Sequence, residues 1–441
     1  MIAQQQDEQI RRLLDLVSPK VGVLRSLSKI VRGVEEPTPP IIYQATLSHF
    51  DYRTAPAEER AAAGKGLTEN DAISAAIGEA IEHYCAAHLN NQITRVANWA
   101  ELEGRGISPP ECVLYSETQY ARKNFPYHRW SPEDKVTWTP MHELPGEQEV
   151  FAPTSLVYLS SAATRPEDMF TLSTSNGLAA GPNLEFAILN GLYELVERDG
   201  FLITWLNKLP PPQVDFSEMG GLAASISAHY EKFGTELRVY NVSTDLPVYV
   251  MMAIALDKTG QGPAGLVGLG CHLDPRIAVR KSLFEICQVH PGEVHRFKDK
   301  PLGERLKSYE DVQTLNDHSA FLMDPERIGE YSFLLENGRR QSIGELPNLS
   351  QGNLAADLNT CVNSLVAAGC RVAYADLTTS DIVDYGLRVV RTIATGLQPM
   401  HFGFGEERLG GRRLFEVPRA LGHAAETRTE KDLNPCPHPL A

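Results

Sequence analysis

Ile10, Leu13, Leu14 and Val17 recur at the three- and four-residue spacing of a helix face, so the first 20 residues are predicted to be helical. "VGVLRSLSKIV" (from Val21) and "PIIYQATL" (from Pro40) then read as strands. A helix is expected after "GKGLTEN", from about Asp71 to Leu89. Residues 100 to 165 are rich in Pro, Gly and charge, with short strand candidates such as "PTSLVYLS". Trp130, Trp138, Phe151 and Tyr158 suggest burial there, so the region is read as an elaborated surface rather than a linker. "GLAAGPNLEFAILNGLYELVERDGF" (Gly177 to Phe201) opens on glycines and continues as a strongly apolar helix. "ELRVYNVS" and "PVYVMMAIAL" are two strands around the turn signal "STDLP". "GLVGLG" leads into a helix near residues 275 to 296, and residues 297 to 345 are charged and irregular. A helix near 353 to 369, the strands "CRVAYADLT" and "LRVVRTIATGL", and a Gly- and Arg-rich segment complete the pattern. Strands interleave with helices throughout, which predicts an α/β or α+β class.

Three of the helical segments are copies of one another. Anchored on Ala72, Ala187 and Ala278, each has a small residue four positions on (Ala76, Gly191, Ser282). Each has a glutamate at seven (Glu79, Glu194, Glu285) and an acid or amide at ten (Glu82, Glu197, Gln288). Each is preceded by glycine and a capping candidate: Thr68 or Asn70, Asn183, and Asp274 followed by Pro275. These offsets lie on one face of a helix with 3.6 residues per turn. If the three stripes converge, five carboxylates and one amide line a single pocket. Such a set cannot remain unpaired, because repulsion and desolvation would force protonation. Cations are therefore implied, and hard oxygen ligands without His or Cys select Mg²⁺ or a relative. Mg²⁺ takes one or two carboxylates and completes its shell with water and phosphate oxygens, so the stripe reads as a multi-Mg²⁺ nucleotide site. A lone E-x-x-E would be an ordinary solvated helix end; three copies with the small positions preserved favour function. A di-iron centre would normally use E-x-x-H on two helices, and here His83 follows Glu79 by four with no second such histidine.

Composition narrows the remaining choices. Hydrophobic residues make up 42% and charged residues 22% of 441, within the range of globular proteins. A formal net charge of −15 disfavours nucleic acid as a partner. No stretch approaches a membrane span, and "MIAQQQDEQIRR" has no signal-peptide pattern, so a cytoplasmic protein is expected. Seven dispersed cysteines without a C-x-x-C pair argue against a disulfide framework or a structural zinc. The nucleotide-binding P-loop is missing, since Gly64-Lys65 is followed by Gly66, and "GLGCHL" and "GFGEER" lack the third glycine of a dinucleotide fingerprint.

At these residues the sequence resembles the YcaO family. "STSNGLAAG" followed by "LNGLYELVERDGF" looks like that family's S-x-G-x-A-x-G and E-x-x-E-R region, "GKGLTENDAISAAIGEAIEH" its upstream E-x-x-E helix, and "GLGCHLDPRIAVRKSLFEICQ" its E-x-x-Q helix. "DLVSPKVGVLRSL" and Pro435-Cys436-Pro437-His438-Pro439 resemble the opening and the P-x-P-x-P tail of azoline-forming cyclodehydratases. The resemblance implies a YcaO-type fold with mixed sheets and helices around a central acidic Mg²⁺-ATP pocket. Residues 1–60 would be its N-terminal helix and strands, and residues 61–441 the cyclodehydratase core with its tail. It implies that a Cys, Ser or Thr of a ribosomal precursor peptide attacks the preceding carbonyl. ATP then phosphorylates the resulting oxygen, and phosphate leaves as an azoline forms. Thioamide or macroamidine formation, or a catalytically silent nucleotide-binding scaffold, are the alternatives.

Carried over residue by residue, Glu79, Glu82, Glu194, Glu197, Glu285 and Gln288 would contact metal or phosphate. Arg198 would touch phosphate or clamp the carboxylates, and Glu194, Glu197, Arg198 and His438 form the catalytic set. Lys65, Ser175, Asn176, Gln288 and Arg391 are nucleotide candidates, and His438 a proton-transfer candidate. His83 stands where the family often has Arg, and Thr395 where Pro-Gly is usual. A separate leader-binding, ubiquitin-activating-like partner and possibly a flavin dehydrogenase are expected, as is a homodimer.

Overall fold

The computed structural model describes residues 2–48, 61–87, 93–159, 165–299 and 306–440. Helix α1 (Ile2–Leu14) is followed by β1 (Leu24–Lys29), β2 (Ile41–Leu47), β3 (Ala61–Gly66) and α2 (Glu69–Ala87). Next come β4 (Arg95–Ala97), β5 (Val136–Leu144), β6 (Gln148–Pro153), β7 (Leu178–Gly181) and α3 (Leu184–Leu206). β8 (Gln213–Asp215), α4 (Gly221–Lys232), β9 (Thr235–Asn241), β10 (Tyr249–Asp257), β11 (Gly265–His272) and α5 (Pro275–Asp299) follow. The remainder carries α6 (Leu315–Leu322), β12 (Arg340–Ser342), α7 (Leu354–Ala367), β13 (Val372–Asp376), β14 (Arg388–Ala394) and α8 (Arg413–Ala420). The class is mixed α/β, as the interleaved pattern predicts.

The chain forms two compact units, each built from separated stretches: Met1–Val31, Pro40–Leu195 and Leu354–Thr395 in the first, and Arg32–Pro39, Val196–Asn353 and Gly396–Ala441 in the second. This division does not follow the expected 1–60 and 61–441 boundary; β2 pairs directly with β3, whereas residues 49–60 between them lie outside the described set. The first unit holds an antiparallel sheet β1-β2-β3 and a second sheet of order β4-β5-β13-β14-β7, with β6 paired to β5. Its main core joins Ile77 and Ile81 of α2 to Met141, Val389 and Ile393. A satellite core sits under the 100–165 region, where Trp138 is fully buried and Trp99 meets Trp130 edge-on at 5.7 Å. The second unit has one sheet of order β11-β10-β9-β8-β12, on which α4 and α5 pack through Ile226, Tyr230, Val279 and Leu283.

Three strand–helix junctions repeat one geometry. The residues ten, eight and six before each anchoring alanine are Ala62, Gly64 and Gly66; Gly177, Ala179 and Gly181; and Gly268, Gly270 and His272. Gly177 immediately precedes β7, and the others alternate along their strands and so share the face turned to the helix. A methyl group on Gly64 would fall 1.9 Å from the Ala76 backbone nitrogen, and one on Gly270 2.2 Å from the Ala278 oxygen. One on Gly191 would meet Thr392 Oγ1 at 2.7 Å and the Gly177 oxygen at 2.9 Å. The small residues of the repeat thus let helix and strand touch backbone to backbone. The caps form as predicted: Thr68 Oγ1 accepts from the Asp71 N–H at 3.2 Å, Asn183 Oδ1 from Phe186 at 2.9 Å and Asp274 Oδ1 from Arg276 at 2.8 Å.

"GKG" forms the end of β3, where its glycines serve the contact with α2. Two expectations need correction. "PTSLVYLS" is the end of β6 followed by a helical turn at Thr154–Val157, with Ser160 outside the described residues. The 297–345 region contains α6. The expected end of α2 at Leu89 falls outside the described residues. Within α5, Pro291 has no N–H for the Cys287 oxygen, which Arg32 Nη1 approaches instead at 3.5 Å.

The junctions predict opposite outcomes for two glycines. Gly270→Val should cost about 3 kcal/mol or more, since neither backbone can yield. Gly292→Ala, on α5 with open space around it, should stabilise by roughly 0.5–1 kcal/mol. Urea unfolding midpoints of the two variants check this.

Candidate functional site

The glycine junctions decide where the glutamates stand. In the first unit the Glu194 carboxylate accepts from the Gly177 N–H at 3.1 Å, and Glu82 from the Ala180 N–H at 2.7 Å. β7 is the edge of its sheet and pairs only with β14, so its outward amides need partners and find carboxylates. Glu82 lies close to Glu79 and Glu194. Burial, and then the neighbouring Glu79, push its pKa well above the carboxylate range. The second unit repeats the placement: a methyl on Gly268 would fall 2.8 Å from the Glu285 Cβ, so Glu285 stands over the start of β11. One helical turn after Glu285, the Gln288 Oε1 is buried without a hydrogen-bond partner.

Arg391, on β14, is buried. Its Nε donates to the Val157 oxygen at 2.9 Å and its Nη2 to the Thr174 oxygen at 2.8 Å, while Nη1 donates to the Asn176 oxygen. Burial pushes its pKa down to about 10 against the raising effect of Glu194 and Glu82. It therefore holds the 174–176 loop from below and faces the acids at the same time. Ser175 is exposed on that loop, and the Asn176 Nδ2 is buried with no partner. Lys65 alternates with Gly64 and Gly66, so it projects from the face of β3 opposite α2. His83 is held neutral by burial and then by Arg391.

In the second unit, Arg198 lies 3.7 Å from Glu197 on α3, and both are largely buried. The following residue, Asp199, is fully buried and pairs with Arg413 at 2.7 Å while accepting from the Gln398 N–H. The C-terminal segment packs on the same part of α3. Trp205 Nε1 donates to the Cys436 oxygen at 2.9 Å, Asn434 N–H to the Leu206 oxygen at 2.7 Å, and Phe201 meets the His438 ring edge-on. Asn434 and residues 436–440 are buried, so the proline-rich tail is a docked element. His438 itself is completely enclosed, and its Nε2–H donates to the His401 oxygen at 3.0 Å. That geometry positions the tail on α3.

Sequence reasoning missed two buried polar groups besides Asp199–Arg413. Glu36 bridges His290 Nδ1 at 2.7 Å and the Tyr230 hydroxyl at 2.9 Å, and His318 stacks on His438 at 3.8 Å. Their members lie more than a hundred residues apart in the chain, so no local spacing could reveal them.

The donor set suits Mg²⁺ and a nucleotide. The glutamates supply hard oxygen, and Asn176 and Gln288 each keep a buried polar atom without a partner. Among the described residues no three His, Cys, Asp or Glu side chains gather into a cage for a metal. Mg²⁺ bound by one or two carboxylates at a time, with water and phosphate completing the shell, needs none.

Comparison with known proteins agrees with this picture. The family model described as YcaO cyclodehydratase, ATP- and Mg²⁺-binding, matches residues 63–398. An uncharacterised protein of Methanothermobacter thermautotrophicus is 30% identical over 360 residues, 79% of this chain and 84% of its own. A solved heterocyclase in complex with substrate and cofactor superposes with a TM-score of 0.83 at 28% identity. That match covers 99% of this chain but only 57% of the heterocyclase chain. The YcaO protein of Methanopyrus kandleri, solved with AMPPCP and Mg²⁺, shares the fold at a TM-score of 0.65 and 22% identity, covering 89% of this chain and 91% of its own. No helix among the described residues is long and apolar enough to cross a membrane.

Glu82→Gln keeps an acceptor for the Ala180 N–H and removes a repelled charge. A carboxylate whose pKa is raised by folding costs stability once pH rises through that pKa. The ligand-free variant should therefore melt at the same temperature or higher at pH 7.5, yet lose most of the additional protection that Mg²⁺ and ATP give together. Thermal melts with and without both ligands check this; a clear fall in ligand-free melting temperature with protection retained would exclude the metal role of Glu82.

Proposed function

The chain belongs to the YcaO family, and from that premise we propose that it uses ATP to cyclodehydrate Cys, Ser or Thr residues of a ribosomal precursor peptide to azolines. The observation that carries the reading is the repeated junction, in which backbone-tight strands set Glu79, Glu82, Glu194 and Glu285 on equivalent helix faces. Glu79, Glu82, Glu194, Glu197, Glu285 and Gln288 would hold Mg²⁺ and the phosphates. Mg²⁺-ATP, when bound, supplies the phosphoryl group that turns an amide oxygen, a poor leaving group, into a good one.

The protein's own part is positioning. Arg391 fixes the loop that presents Ser175 and the unpaired Asn176 amide. Arg198, adjacent to Glu197, would neutralise phosphate charge. The docked tail supports azoline formation over its sulfur- or amine-transferring relatives, because the P-x-P-x-P pattern is the mark of azoline-forming members and here it is folded against α3. The heterocyclase it resembles is a longer chain and was solved in complex with substrate and cofactor. A leader-binding, ubiquitin-activating-like partner would present the precursor peptide.

Glu194→Gln and Glu197→Gln should each reduce ATP turnover at least a hundredfold without changing the circular dichroism spectrum, a loss on the scale of one preorganised charge in a low-dielectric site. Mass spectrometry of a cognate peptide, with the partner present, should show one water lost per ring in the wild type. Sulfur exchange in place of water loss would move the assignment to thioamide formation, and wild-type turnover in the double variant would remove the acidic stripe from the mechanism.

A further inference from the structure

The most enclosed polar cluster of the second unit plays no part in the chemistry above. His318, His401 and His438 are 0%, 4% and 0% exposed. The His318 and His438 rings stack at 3.8 Å and 14°, and His401 stands edge-on to His438 at 4.9 Å. Hydrogen bonds fix the tautomers of His318 and His438. The Gly403 N–H donates to His318 Nε2 at 3.3 Å, so that nitrogen carries a lone pair. The opposite nitrogen, Nδ1–H, donates to the His438 oxygen at 3.0 Å, and His438 Nε2–H in turn donates to the His401 oxygen at 3.0 Å. The Nδ1 atoms of His401 and His438 are buried with no partner.

This wiring works only with neutral rings. A proton on His318 Nε2 would set two donors, His318 and Gly403, against each other. A proton on His438 Nδ1 would place a charged donor where nothing accepts it. A second charge would then stack directly on the first. We propose that His318, His401 and His438 form a neutral-imidazole lock that positions the C-terminal tail on α3, and that acidification opens this lock before the rest of the fold yields.

The surrounding charges favour this direction. Arg198 faces His438, and Arg408 faces His401. Asp317 beside His318 is the one carboxylate among the charges recorded against the three rings. Burial pushes His318 down to about 4, and burial with the neighbouring cations pushes the other two well below the ordinary imidazole value. A histidine whose pKa folding depresses leaves docking unaffected above the unfolded value near 6.5 and penalises it increasingly as pH falls below that value. The lock is independent of the reaction assigned above, because it concerns only the docking of residues 434–440.

Hydrogen exchange on the full chain tests it. After correction for intrinsic rates, the amides of Cys436, His438 and Leu440 should exchange about equally from pH 8 to 7 and then accelerate below pH 6.5. More than one coupled proton predicts an acceleration exceeding roughly tenfold per pH unit. The amides of Met251 to Ile254 on β10 should stay protected over the same range. In His318→Asn, whose side-chain amide can still donate to the His438 oxygen, the slope should fall by about one proton. His401→Gln, which leaves the backbone acceptor in place, should do the same if the first variant does not fold. Tail exchange independent of pH, β10 opening together with the tail, or a wild-type slope in both variants would each overturn the lock.

Discussion

The whole site depends on how closely a helix can lie on a strand. A side chain on the strand face holds the helix at arm's length. Gly64, Gly270 and the Gly177–Gly191 pair remove that spacer, and backbone approaches backbone. Once the helix is that near, a glutamate two turns along from the anchoring alanine stands over the start of the strand. It accepts the Gly177 amide in one copy and sits against Gly268 in another. The glycines are therefore as much part of the acidic site as the carboxylates, although none of them touches a ligand through a side chain. Their backbone flexibility in the unfolded chain is an entropic cost that the buried faces of α2, α3 and α5 must offset.

The same closeness creates an electrostatic problem. Glu82 is removed from water beside Glu79 and Glu194, and one backbone amide cannot compensate it, so its proton affinity rises. Arg391 is a positive charge facing Glu82 and Glu194, yet three of its nitrogens are committed to the carbonyls of Val157, Thr174 and Asn176. It is a brace with a charge attached rather than a complete counter-ion. The loop it braces carries a buried amide without a partner. An arrangement in which Glu82 is buried beside like charges and the neighbouring amide is under-satisfied is poorly optimised for stability alone. It is well suited to a cation and a phosphate arriving together.

Much of this was legible in the sequence because it is local. The 0, 4, 7 and 10 spacing, the caps at Thr68, Asn183 and Asp274, and the class of fold all follow from residues within one helix and its lead-in. "GKG" ends β3, and its glycines owe their place to α2 lying against the strand, a contact that composition does not record. Strand alternation, invisible until the strand is recognised, turns Lys65 to the face away from α2. What could not be read was long-range. Arg391 meets its loop across more than two hundred residues, as His290 meets Glu36, and no period in a single chain records such a pairing.

The three copies are not equivalent, and their differences divide the labour. The first two present two glutamates each, whereas the third ends in Gln288, whose uncharged oxygen is buried and unpaired. An amide in place of a sixth carboxylate brings both a donor and an acceptor without charge. The strand positions differ in parallel: where the first two copies have Gly66 and Gly181, the third has His272, whose Nδ1 accepts from the Asp274 N–H beside the helix cap. That copy is therefore anchored by a side chain where the others have none. The middle copy is distinguished downstream, because the residues following Glu194 and Glu197 are Arg198 and Asp199, and the tail packs on the next turns of the same helix. Repetition gives the acids equivalent places on their helices, and the departures from it add a cation, an amide and a docked tail.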